Sequence, residues 1–246
     1  MRNLELAYPE KTSSERKAIA NDVFRSIGRL LYGFARFPQI NARNISGWIR
    51  YEGLEHFVEA KRVGRGILFA TAHLGNWELS AFAHGLMTEP MYVVIRPLDD
   101  PRIDRLVEER RQLSGNHLIQ KWDGARAILR ALQQNEAVGI LMDQNTSLQE
   151  GVFVNFFGTP ACANTAFAKI AARTGAAVIP GFALWSDQER RYVLRFYPPL
   201  EMTGDPVADT RRLHALLEGV IREHPGQWLW IHRRWKTRPP GERPIY

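Results

Sequence analysis

Cysteine is nearly missing from this 246-residue chain. Its single cysteine, Cys162, excludes an internal disulfide and any cysteine-rich zinc site. Cys162 lies between two alanines in an apolar stretch, which suits core packing rather than nucleophilic catalysis. No run approaches the roughly 20 apolar residues of a membrane span. Residues 1–16 mix polar and charged side chains, unlike a secretory signal. Internal repeats, low-complexity runs and a Gly-x-Ser-x-Gly nucleophile motif are also missing. Acidic residues are the minority charge: 26 Asp and Glu face 33 Lys and Arg, a net charge of +7. Such a surface attracts polyanions, whether nucleic acid, an anionic bilayer or an acidic carrier protein. No helix-turn-helix, zinc-finger or RRM signature supports the first of these, so a nucleic-acid partner is not expected.

The hydrophobic fraction of 45% and charged fraction of 24% fit one folded α/β domain or a domain with a small appendage. Residues 13–37 read as a helix capped by Ser13 or Ser14. Ile19, Val23, Phe24, Ile27, Leu30, Leu31 and Phe34 recur at helical spacing, with Arg16, Lys17, Arg25 and Arg29 opposite. That pattern fits a surface helix packed on the core and also an amphipathic helix lying on a bilayer. Apolar runs at 66–72, 91–95, 137–142, 177–184, 191–197 and 228–232 read as strands. Helices are expected from Trp77, over 101–113, after an Asp123 cap, from Asn164 or Thr165 to a stop at Gly175, and around Leu213, Leu217 and Ile221. Alternating strands and helices predict an α/β fold with a largely parallel sheet flanked by helices. Functional groups of such sheets gather beyond the C-terminal strand ends. Three strands here end in His73, Arg96 and Asp143-Gln144.

His73 and Glu78 are the candidate catalytic pair. On one helix they would lie about 140° apart. A strand end at His73, a turn at Gly75 and a helix start at Trp77 instead let Glu78 fold back towards the imidazole. A carboxylate there would fix the tautomer and leave the other ring nitrogen as a general base. Asn76 offers an amide close by. With no activated serine or cysteine evident, the simplest chemistry is direct transfer: His73 deprotonates an acceptor hydroxyl, and backbone amides or a cation stabilise the oxyanion. Asp143 and Gln144 read either as a capped turn or as groups that bond the acceptor or brace the site. Phe153, Phe156 and Phe157 read as core aromatics or as the lining of an acyl channel.

His73-Leu74-Gly75-Asn76-Trp77-Glu78 resembles the His-x4-Glu motif of the late acyltransferases of lipid A biosynthesis, within the glycerolipid acyltransferase superfamily. Similar too are Asp143-Gln144, Gly151-Val152-Phe153-Val154 with Phe156-Phe157-Gly158, and the closing stretch from Pro225 through Trp228, Trp230, His232, Arg233, Arg234 and Trp235 to Lys236. An early segment, Asn3-Leu4-Glu5-Leu6-Ala7-Tyr8-Pro9-Glu10, also matches, so the resemblance runs in order along nearly the whole chain. It implies a glycerolipid-acyltransferase-like fold, with an N-terminal amphipathic helical segment over 1–40 and an acyltransferase domain over 41–246. It implies transfer of a fatty acyl chain from acyl carrier protein to a hydroxyl on a phosphorylated glucosamine disaccharide carrying Kdo sugars. His73 would be the base and Glu78 its partner. Arg96 and Arg111 would contact the polar substrate together with Asn76, Asp143 and Gln144. Neither cofactor nor metal is implied; acyl carrier protein or acyl-CoA serves as co-substrate. The expected surroundings are an anionic lipid acceptor and the cytoplasmic face of the inner membrane, reached peripherally or through an anchor that this chain does not carry. A second reading keeps the mechanism and changes the partners to another glycolipid or aminolipid with acyl-CoA as donor. The closing segment, with Trp228, Trp230 and Trp235 among Arg233, Arg234, Lys236, Arg238 and Arg243, reads as a headgroup-facing patch or as a solvated basic tail on an edge strand.

Overall fold

The computed structural model describes residues 1–120 and 124–246. The Asp123 cap expected above lies outside them. Helices α1 (Arg2–Ala7) and α2 (Ser13–Arg36) lead into strand β1 (Ile49–Glu52) and helix α3 (Leu54–Val63). Strand β2 (Ile67–Thr71), helix α4 (Trp77–Met87), strand β3 (Tyr92–Ile95), helix α5 (Pro101–Gln112) and strand β4 (His117–Gln120) follow. Next come helix α6 (Gly124–Gln133), strand β5 (Ala137–Leu141) and the hairpin of β6 (Gly151–Phe156) and β7 (Thr159–Asn164). Helix α7 (Ala166–Thr174), strands β8 (Ala177–Ser186) and β9 (Arg191–Phe196) and helix α8 (Pro206–Glu223) complete the order.

Seven strands form one sheet in the order β1-β9-β8-β2-β5-β3-β4. Strands β8, β2, β5, β3 and β4 run parallel, and β9 turns back against β8 with β1 beside it. The architecture is the expected α/β one with a mostly parallel sheet. Both sheet faces are covered, which is why the strands read as unbroken apolar runs. Along β2, Leu68 and Ala70 meet the core side that holds Leu132 of α6, Phe167 of α7 and Leu217 of α8. Ile67 and Phe69 meet Phe57 of α3 and Phe82 of α4 on the other. Helix α2 joins the two sides, giving Ile19 and Val23 to the first and packing Phe34 against the second.

Local chemistry sets the helix ends. The cap of α2 is Thr12, not Ser13 or Ser14: its hydroxyl accepts the Glu15 N–H while Glu15 reaches back to the Thr12 N–H at 2.7 Å. Asp100 and Asp205 cap α5 and α8, each followed by a proline whose missing N–H costs nothing at that position. Gly175, at φ 66°, ends α7. One expected strand fails to form. Residues 228–232 form turns rather than a last strand, touching β-structure only through a bridge between Leu74 and Trp228. The segment containing Phe153 and Phe156, to which the sequence reading assigned no element, is a separate two-stranded hairpin, closed by Phe157 at φ 54° and Gly158 at φ 75°.

Candidate active site

Register builds the centre of the site. Strands β2 and β5 are neighbours, with Thr71 opposite Leu141. Two residues beyond each of these lie His73 and Asp143, so the two side chains emerge side by side past the same sheet edge. Asp143 Oδ1 lies 2.8 Å from His73 Nδ1, and Asp143 Oδ2 accepts the His73 backbone N–H at 3.0 Å. The indole N–H of Trp228 donates to the same Oδ2 at 2.8 Å. Burial alone would push the Asp143 carboxyl up. The imidazole's charge and these hydrogen bonds outweigh it and hold the group at about 2. Burial would likewise lower His73. Asp143, and more weakly the charge of Glu78, raise it above the ordinary imidazole value. An anionic Asp143 holds the proton on Nδ1 and leaves Nε2 as the basic nitrogen.

Four successive amides tie the connection from β2 to α4. The N–H groups of His73, Leu74, Gly75 and Asn76 donate to Asp143 Oδ2, Ala72 O, Gln227 O and Ala183 O. Gly75 is required here: its φ is 65°, and a Cβ would lie 1.9 Å from the Ala183 carbonyl oxygen. The His73 carbonyl accepts the Leu229 N–H at 2.9 Å, so the turns around Trp228 clamp the loop from outside the sheet. Asn76 is completely buried, and its side-chain oxygen caps α4 by accepting the Leu79 N–H at 3.0 Å. It therefore sets the helix start and is not open to a substrate. Trp77 meets the His73 ring edge-on, with centroids 5.0 Å apart.

The expected bond between Glu78 and the imidazole is replaced by two other pairings. Asp143 takes the imidazole. Glu78, in the first turn of α4, pairs bidentately with Arg111 of α5 at 2.9 and 2.7 Å. The physical reason is direction: the first turn of α4 carries Glu78 towards α5, whereas register brings Asp143 level with His73. Glu78 acts on His73 through its charge, and Arg111 opposes it. The amides of residues 73–76 are all engaged, which leaves Arg111 as the cation beside the pair; its Nε and Nη2 hold Glu78, and Nη1 lies on the other side of the fork.

Arg96 follows β3, the other neighbour of β5, and is exposed; Gln144, the next residue after Asp143, is also exposed. Neither has a hydrogen bond to the His73 group among the described residues. In the closing segment Arg233, Lys236 and Arg243 are exposed, as a solvated basic tail requires, but the tryptophans and Arg234 depart from both readings. Trp228, Trp230 and Trp235 are buried in the main core, and Arg234 is fully buried, donating to the Cys162 carbonyl at 2.6 Å above the Phe156 ring. The hairpin covers this segment, and Phe156 and Phe157 pack against its tryptophans as core aromatics. His232 sits nearby, kept below the ordinary imidazole value by burial, and its Nε2 accepts the Asn145 N–H at 2.8 Å. Sequence reasoning missed Trp228 as a donor to Asp143 and Asp143 as the partner of His73. Equal overhang past two paired strand ends was the available signal for the second. Among the described residues no cluster of three or more His, Cys, Asp or Glu could hold a metal ion.

Comparison with known proteins gives the family. The family model of bacterial lipid A biosynthesis acyltransferases matches residues 1–237. A lipid A biosynthesis lauroyltransferase of Escherichia coli is 33% identical over 98% of this chain and 79% of its own length. A lipid A biosynthesis palmitoleoyltransferase of the same organism is 31% identical over 100% of this chain and 80% of its own. A lipid A biosynthesis acyltransferase of Haemophilus influenzae is 26% identical over 98% and 76%. With a family match over residues 1–237 and relatives above 30% identity over nearly the whole chain, the chain belongs to the bacterial lipid A biosynthesis acyltransferase family and is an acyltransferase.

Proposed function

We propose that this protein moves a fatty acyl group from acyl carrier protein onto a hydroxyl of a lipid A precursor at the cytoplasmic face of the inner membrane, with His73 as general base. The observation that carries the mechanism is the anchored imidazole: Nδ1 bound to Asp143 at 2.8 Å, with Asp143 fastened by Trp228. Nε2 takes the proton of the acceptor hydroxyl as its oxygen attacks the thioester carbonyl carbon. The tetrahedral intermediate collapses, the carbon–sulfur bond breaks, and His73 returns its proton to the leaving thiolate. Arg111 supplies positive charge for the oxyanion, since the amides of residues 73–76 are committed elsewhere. Glu78 holds Arg111 in place and supports the imidazolium by its charge. Arg96 and Gln144, exposed beyond the neighbouring strand ends, are the contacts for the phosphorylated sugar headgroup. The net charge of +7 favours both an acidic carrier and a phosphorylated acceptor.

The test is reconstitution. Purified protein is given acyl carrier protein or coenzyme A thioesters and a lipid A precursor, and products are read by mass spectrometry. Acyl transfer from the carrier-protein thioester should be lost in His73→Ala, with the fold retained. Full activity in that variant would sink the mechanism. Transfer from coenzyme A alone would overturn the donor assignment, and an unchanged lipid A profile in cells lacking the gene would overturn the acceptor.

A further inference from the structure

Among the described residues Arg234 is the one fully buried arginine, and the mechanism above does not use it. Its guanidinium donates through Nη1 to the Cys162 carbonyl at 2.6 Å and lies over the Phe156 ring at 5.2 Å. Nε and Nη2 have no hydrogen-bond partner among the described residues, so no carboxylate grips the fork directly. A buried cation of this kind is costly and persists only where another buried charge offsets it. The groups around Arg234 leave one such charge. Burial raises Cys162 of β7 and Tyr246 at the chain end, which stay protonated. Burial pushes His214 of α8 down to about 4 and lowers His232 as well, so both are neutral. Asp143 remains, buried and ionised. Burial brings Arg234 to about 10, and the charge of Asp143 is the largest influence against that fall.

Two rings connect the cation to the carboxylate. Phe156, under the guanidinium, meets Trp228 edge-on at 5.7 Å, and the Trp228 indole N–H holds Asp143 Oδ2. Both rings are buried, so the two charges act on each other through apolar surroundings, where Coulomb attraction is far stronger than in water. The remaining charges of the site cancel, since Glu78 is paired with Arg111. When His73 is neutral, as a base must be, Asp143 carries the unbalanced negative charge and Arg234 the unbalanced positive one.

We infer that Arg234 is a positioning residue for acyl transfer: its buried charge, acting across Phe156 and Trp228, keeps Asp143 a carboxylate while His73 is neutral, so that the proton stays on Nδ1 and Nε2 is free to act as the base. The inference rests on the reading of His73 as general base. Arginine suits the place because its guanidinium stays charged when buried and packs over an aromatic ring. Through Nη1 it also ties the hairpin to the closing segment.

NMR titration of the histidine Cε1 signals tests it, with His73 identified by the signal lost in His73→Gln. The charged and titratable groups that face His73 are Asp143, Glu78 of α4, Arg111 of α5 and His232 of the closing turns. Neutral His73 with ionised Asp143 carries one net negative charge, and the protonated pair carries none. Loss of a nearby cation disfavours the first form, so the His73 midpoint in Arg234→Gln should rise by about half a unit or more. Glutamine keeps a donor for the Cys162 carbonyl, which separates the charge from the hydrogen bond. Arg234→Lys keeps the charge and should titrate close to the parent. A fall like that of Arg234 would leave a lysine, ordinarily near about 10.4, still charged at pH 7. The acid limb of kcat/KM for acyl transfer should move up in Arg234→Gln with the midpoint. If Arg234→Gln does not fold, adding Asp143→Asn should restore folding, because it removes the carboxylate left unbalanced. An unmoved midpoint in folded Arg234→Gln, or an unfolded chain that Asp143→Asn does not rescue, overturns the inference. A shift in Arg234→Lys as large as in Arg234→Gln would assign the effect to the guanidinium fork rather than its charge and overturn it equally. The titration needs no turnover, so a raised midpoint in a chain that transfers no acyl group upholds the role of Arg234 and places the failure in the assigned reaction.

Discussion

Asp143 is 3% exposed and yet ionised, because an imidazole, a backbone amide and an indole all donate to it. A buried carboxylate with fewer donors would take up a proton and lose its hold on the histidine tautomer. Asp143→Asn should therefore lower kcat by about 10²–10⁴-fold, with a much smaller change in KM, measured by steady-state transfer assays. Trp228→Phe removes one of the three donors and keeps the ring, so a loss of about tenfold in kcat is expected. The pH profile gives a second check. His73 must be neutral to act as a base, and its raised pKa puts the acid limb of kcat/KM above about 6.5. Glu78→Gln removes a charge that raises His73 and leaves Arg111, which lowers it, unopposed. The acid limb should then move to lower pH, while a purely structural role for Glu78 would leave it in place.

At the level of elements, the turn between β2 and α4 converts sequence neighbours into site geometry. Its conformation depends on Gly75, where φ is positive and backbone closes in from β8. Gly75→Ala should lower stability by about 2–3 kcal/mol or more in urea unfolding, and it should reduce activity even where the protein remains folded, because His73 and Asn76 flank the turn. The bridge from α4 to α5 is an ion pair, Glu78 with Arg111, at side-chain exposures of 13% and 22%. Glu78→Ala leaves a half-buried guanidinium without its partner and should cost roughly 1–3 kcal/mol, less than for a fully buried pair because water reaches Arg111. The stop at Gly175 is legible in the sequence, since caps are local, whereas the cap of α2 falls on Thr12 rather than on the expected Ser13 or Ser14 because Glu15 closes a capping box with it. The clamp from Gln227 and Leu229 to the His73 loop is not legible, because it joins segments about 150 residues apart.

For the whole molecule, the His73–Asp143 pair makes stability depend on pH with a definite sign. Asp143, depressed to about 2, contributes above the unfolded value near 3.9, and that contribution is lost as pH falls through the folded one. His73, raised, contributes fully below about 6.5, and its contribution is lost as pH rises through the folded value. The charged pair thus stabilises most between roughly pH 4 and 6.5. Asp143→Asn should lower the urea midpoint more at about pH 5.5 than at about pH 9, and equal losses at both would count against an ionised pair. On the same scale, the closing segment is divided: Arg234 and three tryptophans are drawn into the core beside the hairpin, while Arg233, Lys236 and Arg243 stay exposed.

Much of the fold and the centre of the site were legible without coordinates. Apolar runs of strand length, alternating with capped helical stretches, determined an α/β sheet, and His73 at a strand end marked the site. The strand expected at 228–232 failed because alternating tryptophans satisfy a strand pattern equally well when they pack into a core from a series of turns. The hairpin went unread because its apolar residues carry no sign of which sheet they join. Chain order alone placed Glu78 beside His73, since it registers closeness along the chain. It does not register which strands are neighbours. That pairing is made by hydrogen bonds between β2 and β5, seventy residues apart, and it set Asp143 against the imidazole and left Glu78 to Arg111.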